Sequence, residues 1–145
     1  MADLRAEQIL DAIVTNLTGG LSETVYRDRL NPPLVPSVSV AMGPDDPTEE
    51  YGASNLAFID SVLTVYVDCF VKTSAVNITQ ALNAIRKSVH VQMMESYTQG
   101  LGFVINTRPG GAEPPDLDQA GETPAGSLRT VWEIHYRTSL IDASA

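Results

Sequence analysis

The sequence has 145 residues, 43% of them apolar and 19% charged, which is enough for one domain with a buried core. Eighteen acidic residues against nine basic ones give a formal charge of -9. That balance argues against wrapping nucleic acid, because duplex binding rests on Lys and Arg neutralising phosphates. No run approaches the roughly 18 apolar residues of a membrane span, and Asp3, Arg5 and Glu7 leave no signal-peptide core, so a cytosolic chain is expected.

Cys69 is the only cysteine, so neither an intrachain disulfide nor a cysteine-based metal cage can form. Asn16-Leu17-Thr18 and Asn77-Ile78-Thr79 match the glycosylation acceptor pattern, but without a secretory signal they read as accidents of composition.

In chain order, Leu4, Ile9, Leu10, Ile13, Val14 and Leu17 recur at helical spacing, with Gly19-Gly20 as a stop. The stretch from Val25 to Leu30 reads as either a short strand or a packed loop, and Pro32, Pro33 and Pro36 exclude a helix there. Val38, Val40 and Met42 alternate with small residues as a strand, which Gly43-Pro44-Asp45-Asp46-Pro47 is expected to end by turn chemistry. From Asn55 to Lys72 runs the longest predicted strand. Leu63, Val65, Val67, Cys69 and Val71 mark its buried face, with Cys69 a small hydrophobe, not a nucleophile.

Ile78, Leu82, Ile85, Val89 and Met93 form a second helical stripe, expected to end near Tyr97. Phe103 to Asn106 reads as a strand, and Arg108 to Ser127 as a long Pro/Gly-rich acidic loop. The last strand, Leu128 to Leu140, sets Thr130, Trp132, Ile134, Tyr136 and Thr138 against Arg129, Glu133, His135 and Arg137. The expected fold is therefore α+β: a mainly antiparallel sheet of about four to five strands with two amphipathic helices packed on one face. It would form a single domain over 1–145, with loops 43–55 and 107–127 as extended interface or flexible segments. Val62, Tyr66, Phe70 and Val131 would face away from the helices and call for a second layer, a loop or a neighbouring subunit.

Little in the sequence points to chemistry. His90 and His135 lie in no nucleophile or zinc motif, and there is no Walker A sequence. Gly100-Leu101-Gly102 lacks the third glycine of a dinucleotide fingerprint. Asp116-Leu117-Asp118-Gln119-Ala120-Gly121-Glu122 opens like a calcium loop, but Ala120 occupies a ligand position and Ser127 stands where the closing Glu belongs, so a plain acidic loop is preferred. No catalytic, cofactor or metal residues are assigned, and the chain is expected not to be an enzyme. An acid–base enzyme would need Glu133, His135 and Asp68 to converge in a pocket. A generic bacterial adaptor is a further alternative.

The helix Arg5-x3-Ile9-Leu10-x2-Ile13, Val25-Tyr26 with Arg27 to Pro33, the strand from Pro36 to Val40, the strand from Asp60 to Phe70, the helix from Ile78 to Met93 and the strand from Thr130 to Tyr136 together carry a family pattern. In that order they resemble the tail terminator proteins of long-tailed bacteriophages, of the lambda minor tail protein U type. The resemblance covers nearly the whole chain and departs from the family in the long, proline-rich segment from Arg108 to Ser127.

The resemblance implies a structural virion protein at the head–tail junction, assembled in the host cytoplasm. It implies a homo-hexameric ring that caps the tail tube protein, stops polymerisation and presents a joining surface to the head–tail connector or neck protein. DNA would pass through the lumen without sequence-specific binding, and neither a membrane nor a cofactor is involved. The alternative within the same virion is a neck or head-closure protein, or a tail-tube subunit. The residues expected at a subunit or tube interface are Arg27, Arg29, Asp45, Asp46, Glu49, Glu50, Arg108, Glu113, Asp116, Asp118 and Glu122.

Overall fold

The computed structural model describes residues 3–29, 35–48, 58–73, 77–118, 123–139, 142 and 144. Glu49, Glu50 and Glu122, and the expected helix start at Ser74, lie outside the described residues. Helix α1 (Arg5–Gly20) buries Ala6, Ile9, Leu10, Ile13 and Leu17, the stripe its spacing prescribes. It ends at the two glycines, where the Leu21 amide donates to the Leu17 carbonyl at 2.9 Å.

The open reading at Val25 resolves as a strand. Strand β1 (Thr24–Arg27) pairs in parallel with β2 (Ser37–Pro47). Asp28 then turns the chain away with φ 57°, a left-handed conformation that Asp tolerates better than most residues, while its amide donates to the Val40 carbonyl at 2.9 Å.

Strand β2 does not stop at Gly43. Its pairing with β3 (Phe58–Lys72) slips between Met42 and Asp45 and resumes through Pro47↔Ser61. The turn-forming residues make a bulge because the ladder continues on both sides of them. Gly43 is needed there, since a Cβ would stand 2.9 Å from Tyr66 Cε2 and 3.0 Å from the Thr64 carbonyl oxygen. The buried run of β2 ends at Val40, so Met42, expected inside, is 48% exposed.

Helix α2 (Ile78–Glu95) buries the predicted Ile78, Leu82, Ile85, Val89 and Met93 and stops two residues short of Tyr97. The supposed loop from Arg108 to Ser127 is largely sheet. Strand β4 (Val104–Ala112), β5 (Asp116–Asp118) and β6 (Ala125–Ser139) occupy most of it. Proline and glycine punctuate the sequence without ending the strand, because β4 is an edge strand and bulges between Pro109 and Gly111.

The sheet order is β1-β2-β3-β6-β4, with β5 also on β6, and every pairing except β1–β2 is antiparallel. With both helices on one face, this is the expected α+β architecture. The core lies between helices and sheet, where Val38, Val40, Leu63, Val65, Val67, Cys69 and Ile134 are wholly buried. Polar groups within it are paired. The Trp132 indole donates to Thr130 Oγ1 at 3.0 Å, and that hydroxyl donates to the Val67 carbonyl at 2.7 Å. Gln99 joins three elements, accepting from Asn16 and donating to Thr107 Oγ1, which in turn donates to the Tyr97 carbonyl.

At Gly126 α2 lies close against the sheet: a Cβ would stand 2.4 Å from Ile78 Cγ2, 3.1 Å from Leu117 Cδ2 and 3.3 Å from Leu82 Cδ1. Gly126→Ala should therefore destabilise the protein by about 1–3 kcal/mol through overpacking. Gly19→Ala, with nothing within 4 Å of the new methyl, should stabilise it by about 0.4–1 kcal/mol through the unfolded chain. Denaturant melts of the two variants check both signs.

Candidate assembly interface

The sheet face opposite the helices carries alternate residues of β3 and β6, and the ladder between these strands keeps one register over its whole length. Asp60 meets Arg137, Val62 meets His135, Thr64 meets Glu133, Tyr66 meets Val131 and Asp68 meets Arg129. The two acid–arginine pairs are bidentate. Arg129 Nε and Nη2 donate to Asp68 at 2.9 and 3.1 Å, and Arg137 does the same to Asp60 at 2.6 and 3.1 Å. Arg129 also lies over the Tyr66 ring, 4.3 Å from its centroid, and its Nε is 3.8 Å from Glu113. Val62, Tyr66, Phe70 and Val131 are half-buried on this face, as their alternation requires.

The expected interface residues divide into two groups. Arg27 is held within the chain, its guanidinium donating to Glu7 at 2.8 and 3.0 Å and to Asp11 at 3.3 Å, and that local pairing tethers β1 to α1. Arg29 lies 5.7 Å from the Tyr26 ring centroid, and its amide donates to Ser39 Oγ. Asp45 is turned toward Tyr136, whose hydroxyl donates to both carboxylate oxygens at 2.9 and 2.8 Å. The others are exposed: Asp46 past the β2 bulge, Arg108 on β4, and Glu113, Asp116 and Asp118 on the arm formed by the end of β4 and β5.

The geometry separates the residues of the acid–base reading. Asp68 stands six positions along β3 from Val62, the partner of His135, a separation of about 20 Å at strand rise. Asp68 is committed to Arg129. Among the described residues no group of three or more His, Cys, Asp or Glu side chains is placed to hold a metal ion, and the start of the calcium-like run, Asp116–Asp118, is strand β5.

The paired ions on the open face were missed from the sequence, yet a signal existed. Asp60 and Asp68 are eight residues apart, as are Arg129 and Arg137. In an antiparallel pair, equal spacing lets one register satisfy both ion pairs at once.

No family model matches the sequence, and no curated protein matches it. Among solved structures, a chain described as "Virion of native gene transfer agent (GTA) particle" is similar to this one at 12% identity, over 92% of each chain, with a TM-score of 0.46. A likeness at that level lends no weight to a reading of function.

Two carboxylates of this surface titrate in opposite directions from their ordinary value. The hydrogen bond from Arg137, aided by its charge, holds Asp60 low. Burial pushes Asp45 up, against the hydrogen bond from Tyr136, with the Asp46 charge adding to the rise. A lowered folded value means that the Asp60 pair stabilises the fold above the ordinary carboxylate range and loses that contribution as pH falls through the folded value. Asp60→Asn should accordingly melt below the parent protein near neutral pH, and the gap should close on acidification. Asp45→Asn should show the opposite sense, melting at or above the parent near neutrality, with the parent catching up as acid protonates Asp45. Thermal melts across acidic pH read both.

Proposed function

We propose that this chain is a tail terminator: a virion protein that closes into a ring on the end of a phage tail tube, stops its growth and offers its far side to the head connector. The observation that carries the proposal is the sheet face that the described residues leave uncovered. It presents half-buried Val62, Tyr66 and Val131 between two bidentate ion pairs, flanked by an exposed acidic arm at Glu113 to Asp118. Apolar groups framed by fixed charges form the kind of surface that another protein completes. The order of helices and strands supports the same reading through the resemblance described above.

The physical logic is one of closure. A tube grown by head-to-tail contacts always has a live end, because heterologous contacts that do not close in a plane propagate. A ring that matches this end on one face and offers no tube-like surface on the other stops the growth. The assembly needs a ring contact and a tube contact, and this reading assigns no catalytic step, metal or cofactor. Six copies, a tube-protein partner, a connector partner and a place at the head–tail junction all belong to the proposal. The net charge of -9 suits a ring through which DNA slides without adhering, since like charges repel.

Negative-stain electron microscopy of the protein, alone and mixed with the tail-tube protein of the same particle, tests this. Closed rings, and single rings seated at tube ends, are expected. Open-ended cylinders of the protein alone would make it a tube subunit. Rings that ignore tubes but bind the connector would make it a neck protein.

A further inference from the structure

We propose that the end of the sheet around Ile105 and Arg108 is a socket for the acidic β4–β5 arm of a second copy of this chain. The inference rests on the ring reading above and specifies the contact that would close the ring.

Two adjoining grooves form the socket. One, of about 660 Å3, lies between Arg5, Phe58, Phe103 and Arg137; the other, of about 410 Å3, lies between Thr48, Asp60, Asn106, Arg108 and His135. Ile105 lines both and is 51% exposed, and Phe58 is 40% exposed. Arginines stand over the aromatic rings: Arg5 lies 4.4 Å from the Phe103 centroid and Arg137 lies 6.0 Å from that of Phe58. Apolar anchors ringed by arginine are the composition of an interface hot spot.

The polar groups of the socket are under-used. Arg5 donates from Nη1 to the Arg137 carbonyl, but its Nε and His135 Nε2 are buried without a hydrogen-bond partner among the described residues, a state that native proteins seldom leave uncompensated. Arg108 makes no ion pair or hydrogen bond among the described residues, although Glu133 lies opposite it in the ladder. Asp60, which lines the smaller groove, is already neutralised by Arg137. In a chain of charge -9, this corner therefore offers the exposed guanidinium of Arg108 beside apolar surface.

The arm has the complementary chemistry. Strand β5 is Asp116-Leu117-Asp118, a leucine 42% exposed between two aspartates, preceded by Glu113. Strand alternation sends Leu117 to one side and both aspartates to the other. The socket has a counterpart for each side, with Phe103 and Ile105 beside Arg5 and Arg137 in the larger groove, and Arg108 beside Ile105 and the neutralised Asp60 in the smaller.

The arm cannot fill its own socket. Asp116 pairs with Ser127, ten positions before Arg137 on β6, which is about 33 Å along the strand. Arg108, opposite Glu133, is six positions along β6 from Ser127, about 20 Å, so arm and socket are separate surfaces and each copy can give with one and receive with the other. Such a head-to-tail contact closes into a ring when the rotation per copy allows it.

A charge swap across the contact tests the pairing. Arg108→Glu and Asp116→Arg alter exposed side chains, and circular dichroism melts should show both variants folded. In sedimentation velocity, backed by negative-stain imaging, each variant should raise the concentration needed for rings by on the order of tenfold. The combined Arg108→Glu/Asp116→Arg chain should recover assembly. Ile105→Ser should weaken rings without a reciprocal rescue.

Rings from both charge variants at the parent concentration would overturn the socket and leave the terminator reading standing. Weakened single variants with no recovery in the combined chain would overturn the Arg108–arm pairing. A parent protein that stays monomeric at every concentration and on tubes would overturn both the socket and the ring.

Discussion

The structure depends on the ladder between β3 and β6. These two 15-residue strands pair from Phe58↔Ser139 to Lys72↔Ala125 without a slip. Because side chains alternate, a shift of one residue would carry Leu63, Val65, Val67 and Cys69 out of the core and bring Asp60 and Asp68 into it. Burial of one face and two ion pairs on the other specify the same register, so the two levels of the fold agree. The other elements hang on this pair: β2 and then β1 on one side, β4 and β5 on the other, with both helices over the buried face.

The edges of the sheet bear on assembly. At one edge β1 is four residues long and is tied back to α1 by Arg27. At the other, β4 contains Pro109, a bulge and Gly111 in the left-handed region with φ 97°. Short strands, proline and bulges are devices that prevent open-ended strand pairing between molecules. Copies of this chain would then meet through side chains at the ends and on the open face of the sheet. A side-chain contact can fix an angle between neighbours, and a fixed angle is what separates a closed ring from an endless fibre.

Much of this was legible in the sequence, for reasons that vary along the chain. The stripes at Ile9 to Leu17 and Ile78 to Met93, and the alternations at Leu63 to Val71 and Thr130 to Thr138, gave helices and strands with the correct buried faces, because one periodicity holds over several turns or pairs. The segments at Gly43 to Pro47 and Arg108 to Ala112 were misjudged. Proline and glycine there make bulges in strands that neighbours hold in place, and tertiary hydrogen bonding overrides the local preference. Of the interface residues, the exposed acids of the arm were visible as charges in a Pro/Gly-rich stretch. The socket was not visible, since Arg5, Phe58, Ile105 and Arg108 are scattered in sequence and meet only when α1, β3 and β4 share one end of the sheet. Arg27, read as a local surface pair or an interface residue, pairs locally with Glu7 and Asp11, one helical turn apart on α1.

In the proposed role, this chain ends tube growth by closing on itself. The most direct measurement is the length distribution of tubes assembled from the tail-tube protein of the same particle, with this protein added at increasing dose after growth has begun. Capping predicts that elongation halts at once, with tube length frozen at the value reached on addition and one ring visible at the arrested end. Tubes that continue to elongate at the undosed rate, whether or not the protein is found along them, would contradict it.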